Sequence, residues 1–115
     1  MSKLKDRIKQ IDDIQKIIET VPGWNEKVEI RTMTGLERSK VLDAAFINGK
    51  LSNEKLFPAI IVASCFDPET GEKLFDESDI AWLMQKNAGA IEFLAQRAID
   101  VSGLSSAMEK QAEKN

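Results

Sequence analysis

The chain has 115 residues, of which 43% are hydrophobic and 30% are charged, and its formal net charge is −3. This length suits one domain with a modest core, and the composition is that of a folded globular protein rather than a disordered one. The slight acidic excess argues against a nucleic-acid partner, because proteins that bind nucleic acid use an excess of basic residues to neutralise phosphates.

The scarcity of histidine and cysteine further restricts the kinds of catalytic and metal site that the chain can form. The chain has no histidine, and Cys65 is its one cysteine. A Ser-His-Asp triad, a Cys–His pair, an intramolecular disulfide and a thiolate zinc site are therefore excluded within one chain. We expect a protein that is not an enzyme and that uses no cofactor and no metal. Cys65 lies in the apolar segment AIIVASCF and is predicted to be buried.

The first predicted element is an amphipathic helix over residues 3–20. Its apolar positions recur at steps of three and four residues and comprise Leu4, Ile8, Ile11, Ile14 or Gln15, Ile18 and Val21. Pro22-Gly23 is predicted to end the helix. We therefore divide the chain into an N-terminal helix (1–22), a compact helical domain (23–104) and a mobile tail (105–115).

A short strand and a capped helix are predicted next. Residues 27–33 alternate between apolar and charged side chains, which is typical of a strand with one solvated face. Thr34 and Glu37 have the spacing of a capping box, so a helix is predicted to begin there and to end near Asn48. Its buried stripe is predicted to comprise Leu36, Val41, Leu42, Ala45 and Phe46.

Residues 52–66 leave two interpretations open because of Pro58. A proline inside a helix costs about 3 kcal/mol, so Pro58 fits a helix only if it lies in the first turn. The alternative is a buried strand over residues 60–66. We favour the helix, beginning near Phe57 so that Pro58 lies in its first turn, because Ala59, Ala63 and Ser64 are weak strand formers. Ser52 is a candidate cap for a helix in this region.

The remaining chain is predicted to contain a turn and two helices. The segment DPETG (67–71) has proline and glycine at turn positions. The predicted turn spans residues 67–75, and the side chains of Leu74 and Phe75 at its end are expected to pack in the core. Asp76 is predicted to cap a helix near 77–86, and a second helix near 88–102 is predicted to end at Gly103. The predicted fold class is mainly α: a small single-domain helical protein with a short β-strand or hairpin.

Two sequence blocks stand in a characteristic order: VEIRTMTGLER at residues 28–38 and FDPETGEKLFDESDIAWL at residues 66–83. The strand, helix start, turn and later helix that they encode together resemble the tail assembly chaperones of long-tailed (siphovirus-type) bacteriophages and prophages, over residues 24–104. The resemblance implies a non-enzymatic protein that binds the tape measure protein and helps to recruit tail tube subunits. It also implies a location in the host bacterial cytoplasm and absence from the mature virion.

A chaperone of this kind needs an apolar surface for its client. The N-terminal stripe and the two tryptophans are the candidates, so we predict partner-binding roles for Leu4, Ile8, Ile11, Ile18, Trp24 and Trp82. The stripe could instead pack on its own domain, and each tryptophan could pack in the core. If the stripe is free, it can bind the client or a neighbouring copy, which leads to the hypothesis of self-association in an open array.

The last three residues give a further hint. Glu113-Lys114-Asn115 can be encoded by GAA AAA AAC, which contains a heptamer where tRNAs slip back by one base. Members of the resembled family are commonly made in two lengths by such a frameshift. We therefore expect this chain to be the shorter product.

The alternative function is a small helical adaptor or regulator with a helix-turn-helix. Residues 34–48 and 52–66 would supply its two helices. Against this function, the second helix offers few exposed basic or amide side chains for base contacts: Asn53 and Lys55 lie near its start, and mostly apolar residues follow. We expect no membrane partner either, because no segment approaches the roughly 20 apolar residues of a membrane span.

Overall fold

A computed structural model describes residues 2–104 of the chain. The helices are α1 Lys3–Gln10, α2 Gly35–Ala45, α3 Asn53–Ser64, α4 Ile80–Leu83 and α5 Ala88–Ser102, with a 3-10 turn at Glu77–Asp79. The strands are β1 Lys16–Val21, β2 Glu26–Arg31, β3 Phe46–Ile47, β4 Lys50–Leu51 and β5 Cys65–Phe66. With 52% helix and 18% strand, the fold is mixed α+β, and the prediction of a mainly α protein is wrong.

The largest difference lies at the N-terminus, where the predicted helix over residues 3–20 is wrong. Helix α1 ends at Gln10, and the Asp12 carboxylate accepts a 3.3 Å hydrogen bond from the Ile14 N–H as the chain turns away. Residues 16–21 then form β1, which pairs with β2 along its whole length, and their β-branched side chains suit a strand. Pro22-Gly23 lies in the hairpin turn between β1 and β2, where Gly23 has a φ of 83°.

The main sheet has the antiparallel strand order β1-β2-β5. Ile17 pairs with Ile30 on the face that packs against the core, and Glu29 pairs with both Ile18 and Phe66 on the other face. Arg97 of α5 forms a 3.0 Å ion pair with Glu19 of β1. Helix α5 is therefore fixed to the core-facing side of the sheet by a polar contact as well as by packing.

Helix α2 begins as predicted and ends early. Thr34 and Glu37 form the complete capping box, and the helix ends at Ala45 rather than near Asn48. Asn48 and Gly49 have φ values of 53° and 78°, which suit the two-residue turn of the β3–β4 hairpin. The predicted stripe is only partly confirmed: Val41 and Ala45 are buried, Leu42 and Phe46 are half-buried, and Leu36 is 68% exposed.

Helix α3 confirms the helical interpretation of residues 52–66, with one correction. The helix begins at Asn53, so Pro58 lies in its second turn and not in its first. Because proline has no N–H, the Glu54 carbonyl lacks the hydrogen bond that residue 58 would otherwise donate. The strand alternative is realised only at Cys65–Phe66, which is β5.

The C-terminal half follows the predicted order. Gly71 has a φ of 76° in the turn, Phe75 is buried, and Leu74 is 36% exposed. The helix predicted near 77–86 is shorter than expected and consists of the 3-10 turn followed by α4, which ends at Leu83. Helix α5 ends at Gly103 in the left-handed conformation, as predicted. The predicted mobile tail, 105–115, and the frameshift residues within it lie outside the described residues.

The core lies between the sheet and helices α3 and α5. On α5, the side chains of Ile91, Leu94, Ala95 and Ala98 are buried, while Val101 is half-buried. Cys65 is fully buried, as predicted. Helices α2 and α3 pack together beside this core, and the surface that they form with α4 is the first candidate site.

Candidate partner-binding surfaces

An open groove runs along helix α3 between α2 and α4, with a volume of about 1110 Å³. Its floor and walls are apolar and include Val41, Ala44, Ala59, Val62, Ala81 and Met84. Its rim is charged and consists of Glu37, Lys40, Glu54, Lys55, Lys73 and Glu77. Clefts that bind small molecules enclose most of the ligand, so this open groove is better suited to a polypeptide.

The side chains of the groove explain its shape. Three of the lining side chains are alanines, Ala44, Ala59 and Ala81, whose small size would let the backbone of a partner approach closely. The Lys73 ammonium lies 3.8 Å from the Glu37 carboxylate, so two of the charged lining residues form an ion pair. An apolar floor with a charged rim is the arrangement that accepts an amphipathic helix.

The groove was not predicted from the sequence, although a signal for it is present. Helix α3 is apolar around most of its circumference, as the segment LFPAIIVA shows. A helix of that kind must be covered on every side. One side packs into the core through Leu56, Ile60 and Ile61, whereas Ala59 and Val62 face the groove.

Helix α1 is the second candidate surface. The Ser2 hydroxyl caps the helix by accepting a 3.4 Å hydrogen bond from the Lys5 N–H, and none of the eight helical residues is buried. Leu4 and Ile8, one turn apart on the same face, are 56% and 57% exposed, and Ile11 just beyond the helix is 60% exposed. The structure thus presents an apolar stripe that the described part of the chain does not cover.

Ile18 does not extend that stripe along one helix, as was predicted, because it belongs to β1. Its side chain is 58% exposed on the sheet face that points away from the core. Trp24 lies in the turn that follows β1, where it is half-buried and packs against the core. The N-terminal candidates are therefore spread over a helix, a strand and a turn.

Trp82 is an exposed residue of α4 with a fixed orientation. It is 48% exposed, its ring meets the Phe75 ring edge-on at 5.8 Å between centroids, and its Nε1 donates a 2.9 Å hydrogen bond to Asp79. The hydrogen bond from the Asp76 backbone N–H, and then that from Trp82, hold the pKa of Asp79 below its usual range. Trp82 is thus an oriented surface aromatic rather than a core residue.

Cys65 is the one cysteine of the chain and is fully buried. Desolvation raises the pKa of the Cys65 thiol to about 12, so this side chain stays protonated and is a poor nucleophile. Residues 2–104 contain no group of three or more histidine, cysteine, aspartate or glutamate side chains placed to hold a metal ion. No helix in the same range is long and apolar enough to cross a membrane.

Comparison with known proteins identifies the fold. No family model matches the chain, and no curated protein matches it. Among solved structures, that of the bacteriophage HK97 tail assembly chaperone matches with a TM-score of 0.60, covering 88% of this chain and 95% of that chain. This chain has the fold of a phage tail assembly chaperone. The sequence identity is 14%, so the resemblance predicted from the sequence is confirmed at the level of the fold.

The chaperone fold differs from the helix-turn-helix alternative at the junction of α2 and α3. A helix-turn-helix joins its two helices by a turn of about three or four residues. Here the junction is the β3–β4 hairpin, which places Phe46 opposite Leu51. Helix α3 also packs in the core through Leu56 and Ile60. Its open side is apolar at Ala59 and Val62, which offer no hydrogen-bonding groups to DNA bases.

Proposed function

We propose that this protein is a non-enzymatic tail assembly chaperone that binds the tape measure protein and helps to recruit tail tube subunits. The observation that supports this proposal most strongly is the shared fold with the HK97 tail assembly chaperone over 88% of the chain. The order of the two sequence blocks at residues 28–38 and 66–83 supports it independently of that superposition.

The mechanism follows from the exposed apolar surfaces. A long helical client exposes apolar stripes until its final partners cover them, and a chaperone must cover such stripes reversibly. The α2–α3–α4 groove and the stripe of α1 are both apolar and both accessible. Binding there would shield the client without chemistry, so the protein needs no cofactor. We place this activity in the cytoplasm of the host bacterium, before the mature virion forms.

Co-expression with the tape measure protein encoded by the same phage or prophage tests the proposal. We expect the tape measure protein to be soluble and to co-elute with the chaperone on gel filtration, and to aggregate when expressed alone. A Leu94→Asp variant is the control, because a charge at this fully buried position disrupts the core and should abolish the effect. A tape measure protein that neither binds the wild-type chain nor gains solubility from it would refute the proposed function.

A further inference from the structure

The outer edge of strand β1 is a row of backbone groups that no residue of 2–104 pairs with. The sheet has the order β1-β2-β5, so β1 lies at its end. The Thr32 N–H donates a 3.0 Å hydrogen bond to the Gln15 carbonyl, so by alternation the odd-numbered residues of β1 bond to β2. The backbone N–H and C=O groups that point away from β2 are those of Lys16, Ile18 and Thr20.

This edge has little of the protection that proteins usually give to a free strand, such as a proline, a bulge or an unpaired charge on the inner face. Strand β1 pairs with β2 residue for residue, and Pro22 follows only after the last strand position. The charged side chain on the core-facing side of β1, Glu19, is neutralised by Arg97 at 3.0 Å. Lys16 lies at the first position, so the centre of the edge is left open to a further strand.

The side of β1 and β2 that faces away from the core is basic. Lys16, Lys27 and Arg31 lie there with Glu29, so three cations and one carboxylate give a net charge of +2. Glu29 is paired with Arg31 at 2.5 Å, whereas the two lysines form no ion pair within the described range. Ile18, which is 58% exposed, lies between these lysines. An added strand therefore matches this side when an apolar residue lies opposite Ile18 and acidic residues lie two positions away on each side.

The same charges disfavour a second copy of this chain as the occupant of the edge. Antiparallel pairing of two β1 strands about Ile18 would place Lys16 of one copy beside Thr20 of the other. Because Lys27 lies directly across from Thr20, two free ammonium groups would then approach each other. An acidic strand would instead pair with both lysines.

We propose that the free edge of β1 binds an extended segment of a partner protein as an additional antiparallel strand. The segment carries aspartate or glutamate two positions before and two positions after a β-branched residue. Backbone hydrogen bonds to Lys16, Ile18 and Thr20 supply affinity, and the alternate side chains supply selectivity. The site uses neither α1 nor the α2–α3–α4 groove, so it can fail while the proposed chaperone function stands.

A fluorescein-labelled peptide, Thr-Glu-Thr-Val-Thr-Glu-Thr with both ends blocked, is the probe. Fluorescence anisotropy with the full chain should show saturable binding that weakens as salt screens the charges. The matched control peptide carries an N-methyl group on the valine, which removes the N–H that would bond to the edge and leaves every side chain unchanged. It should bind roughly tenfold more weakly. A second control peptide, with lysine in place of both glutamates, should also bind more weakly.

Variants of the protein test the same contacts from the other side. A proline is tolerated at an edge position whose N–H faces solvent, so Ile18→Pro should fold, as circular dichroism can show, and bind the probe roughly tenfold more weakly. Ile18→Val retains the N–H and the β-branch and should bind as the wild type does. Lys16→Glu should weaken binding about threefold, whereas Lys50→Glu, the same charge change on β4, should not. The N-methylated peptide requires no change of the protein, so it tests the edge whether or not Ile18→Pro folds.

Hydrogen exchange of the backbone amides locates the bound peptide. We expect the amides of Lys16, Ile18 and Thr20 to exchange rapidly in the free protein and to be protected when the probe is added. Equal binding of the probe and its N-methylated form would overturn the inference, as would the absence of any binding. Protection of these three amides before the peptide is added would also overturn it, because a second copy would then occupy the edge.

Discussion

The guanidinium carbon of Arg31 lies 3.8 Å from the centre of the Phe66 ring. This contact joins the two sequence blocks that suggested the family, since Arg31 ends β2 and Phe66 ends β5. The same side chain donates a 3.1 Å hydrogen bond to the Gly71 carbonyl and pairs with the Glu29 carboxylate at 2.5 Å. Arg31 therefore fixes the 67–71 turn against the sheet, and the charged face of β2 is covered by that turn rather than fully solvated.

Replacing Arg31 should reduce stability. Arg31→Gln removes a cation–π contact worth about 0.5–2 kcal/mol and leaves the carboxylate of Glu29, whose side chain is only 12% exposed, without its partner. We expect the free energy of unfolding in urea to fall by about 1–3 kcal/mol. Lys27→Gln is the matched control in the same strand, because Lys27 is exposed. Equal stabilities of the two variants would show that the Arg31 contacts contribute nothing.

The capping box of α2 supplies a second prediction. The Thr34 hydroxyl accepts a 3.1 Å hydrogen bond from the Glu37 N–H, and the Glu37 carboxylate accepts one of 2.9 Å from the Thr34 N–H. Thr34→Ala should lower the free energy of unfolding by about 0.5–2 kcal/mol. Ser39→Ala, at an exposed position of the same helix, should have little effect, because alanine is the better helix former. Thermal unfolding of both variants measures the difference.

The buried thiol of Cys65 should make stability depend on pH at alkaline values. Its pKa is raised from 9.0 to about 12 in the folded protein, so between these values the unfolded chain has lost a proton that the folded chain retains. The free energy of unfolding should therefore decrease as the pH rises from about 9 to about 12. Cys65→Ala should have a smaller slope, and the chain has no tyrosine that would titrate in this range. Identical slopes for the two proteins would contradict the assignment.

Reactivity gives an independent measurement on the same residue. Cys65 is fully buried, so we expect iodoacetamide to leave the native protein unmodified at pH 8 and to alkylate it once urea unfolds the chain. Mass spectrometry distinguishes the two forms. Rapid alkylation under native conditions would mean that β5 opens readily.

The elements best predicted from the sequence are those defined by local hydrogen bonds. Thr34 with Glu37, and Asp76 before the 3-10 turn, are caps whose partners lie within three residues, so spacing alone reveals them. Gly103 ends α5 for a similarly local reason, because its left-handed φ of 69° suits glycine. The strand near 27–33 also follows from local alternation.

The predictions that failed concern features that depend on contacts between residues distant in the sequence. Apolar residues at Ile11, Ile14 and Ile18 fit helical steps, yet residues 16–21 form a strand because β2 offers a matching edge. The mixed fold class was missed for the same reason. The groove requires α2, α3 and α4 to come together, so no single segment could predict it. Among the predicted partner-binding residues, only Leu4, Ile8 and Ile11 form one continuous surface.

Electron microscopy of phage particles tests the proposed role in tail assembly most directly. The gene for this chain would be deleted from its phage or prophage, and lysates would be imaged with and without the wild-type protein supplied in trans. The account predicts heads without tails after deletion and tailed particles after complementation. Tails of normal number and length in the deletion lysate would contradict it.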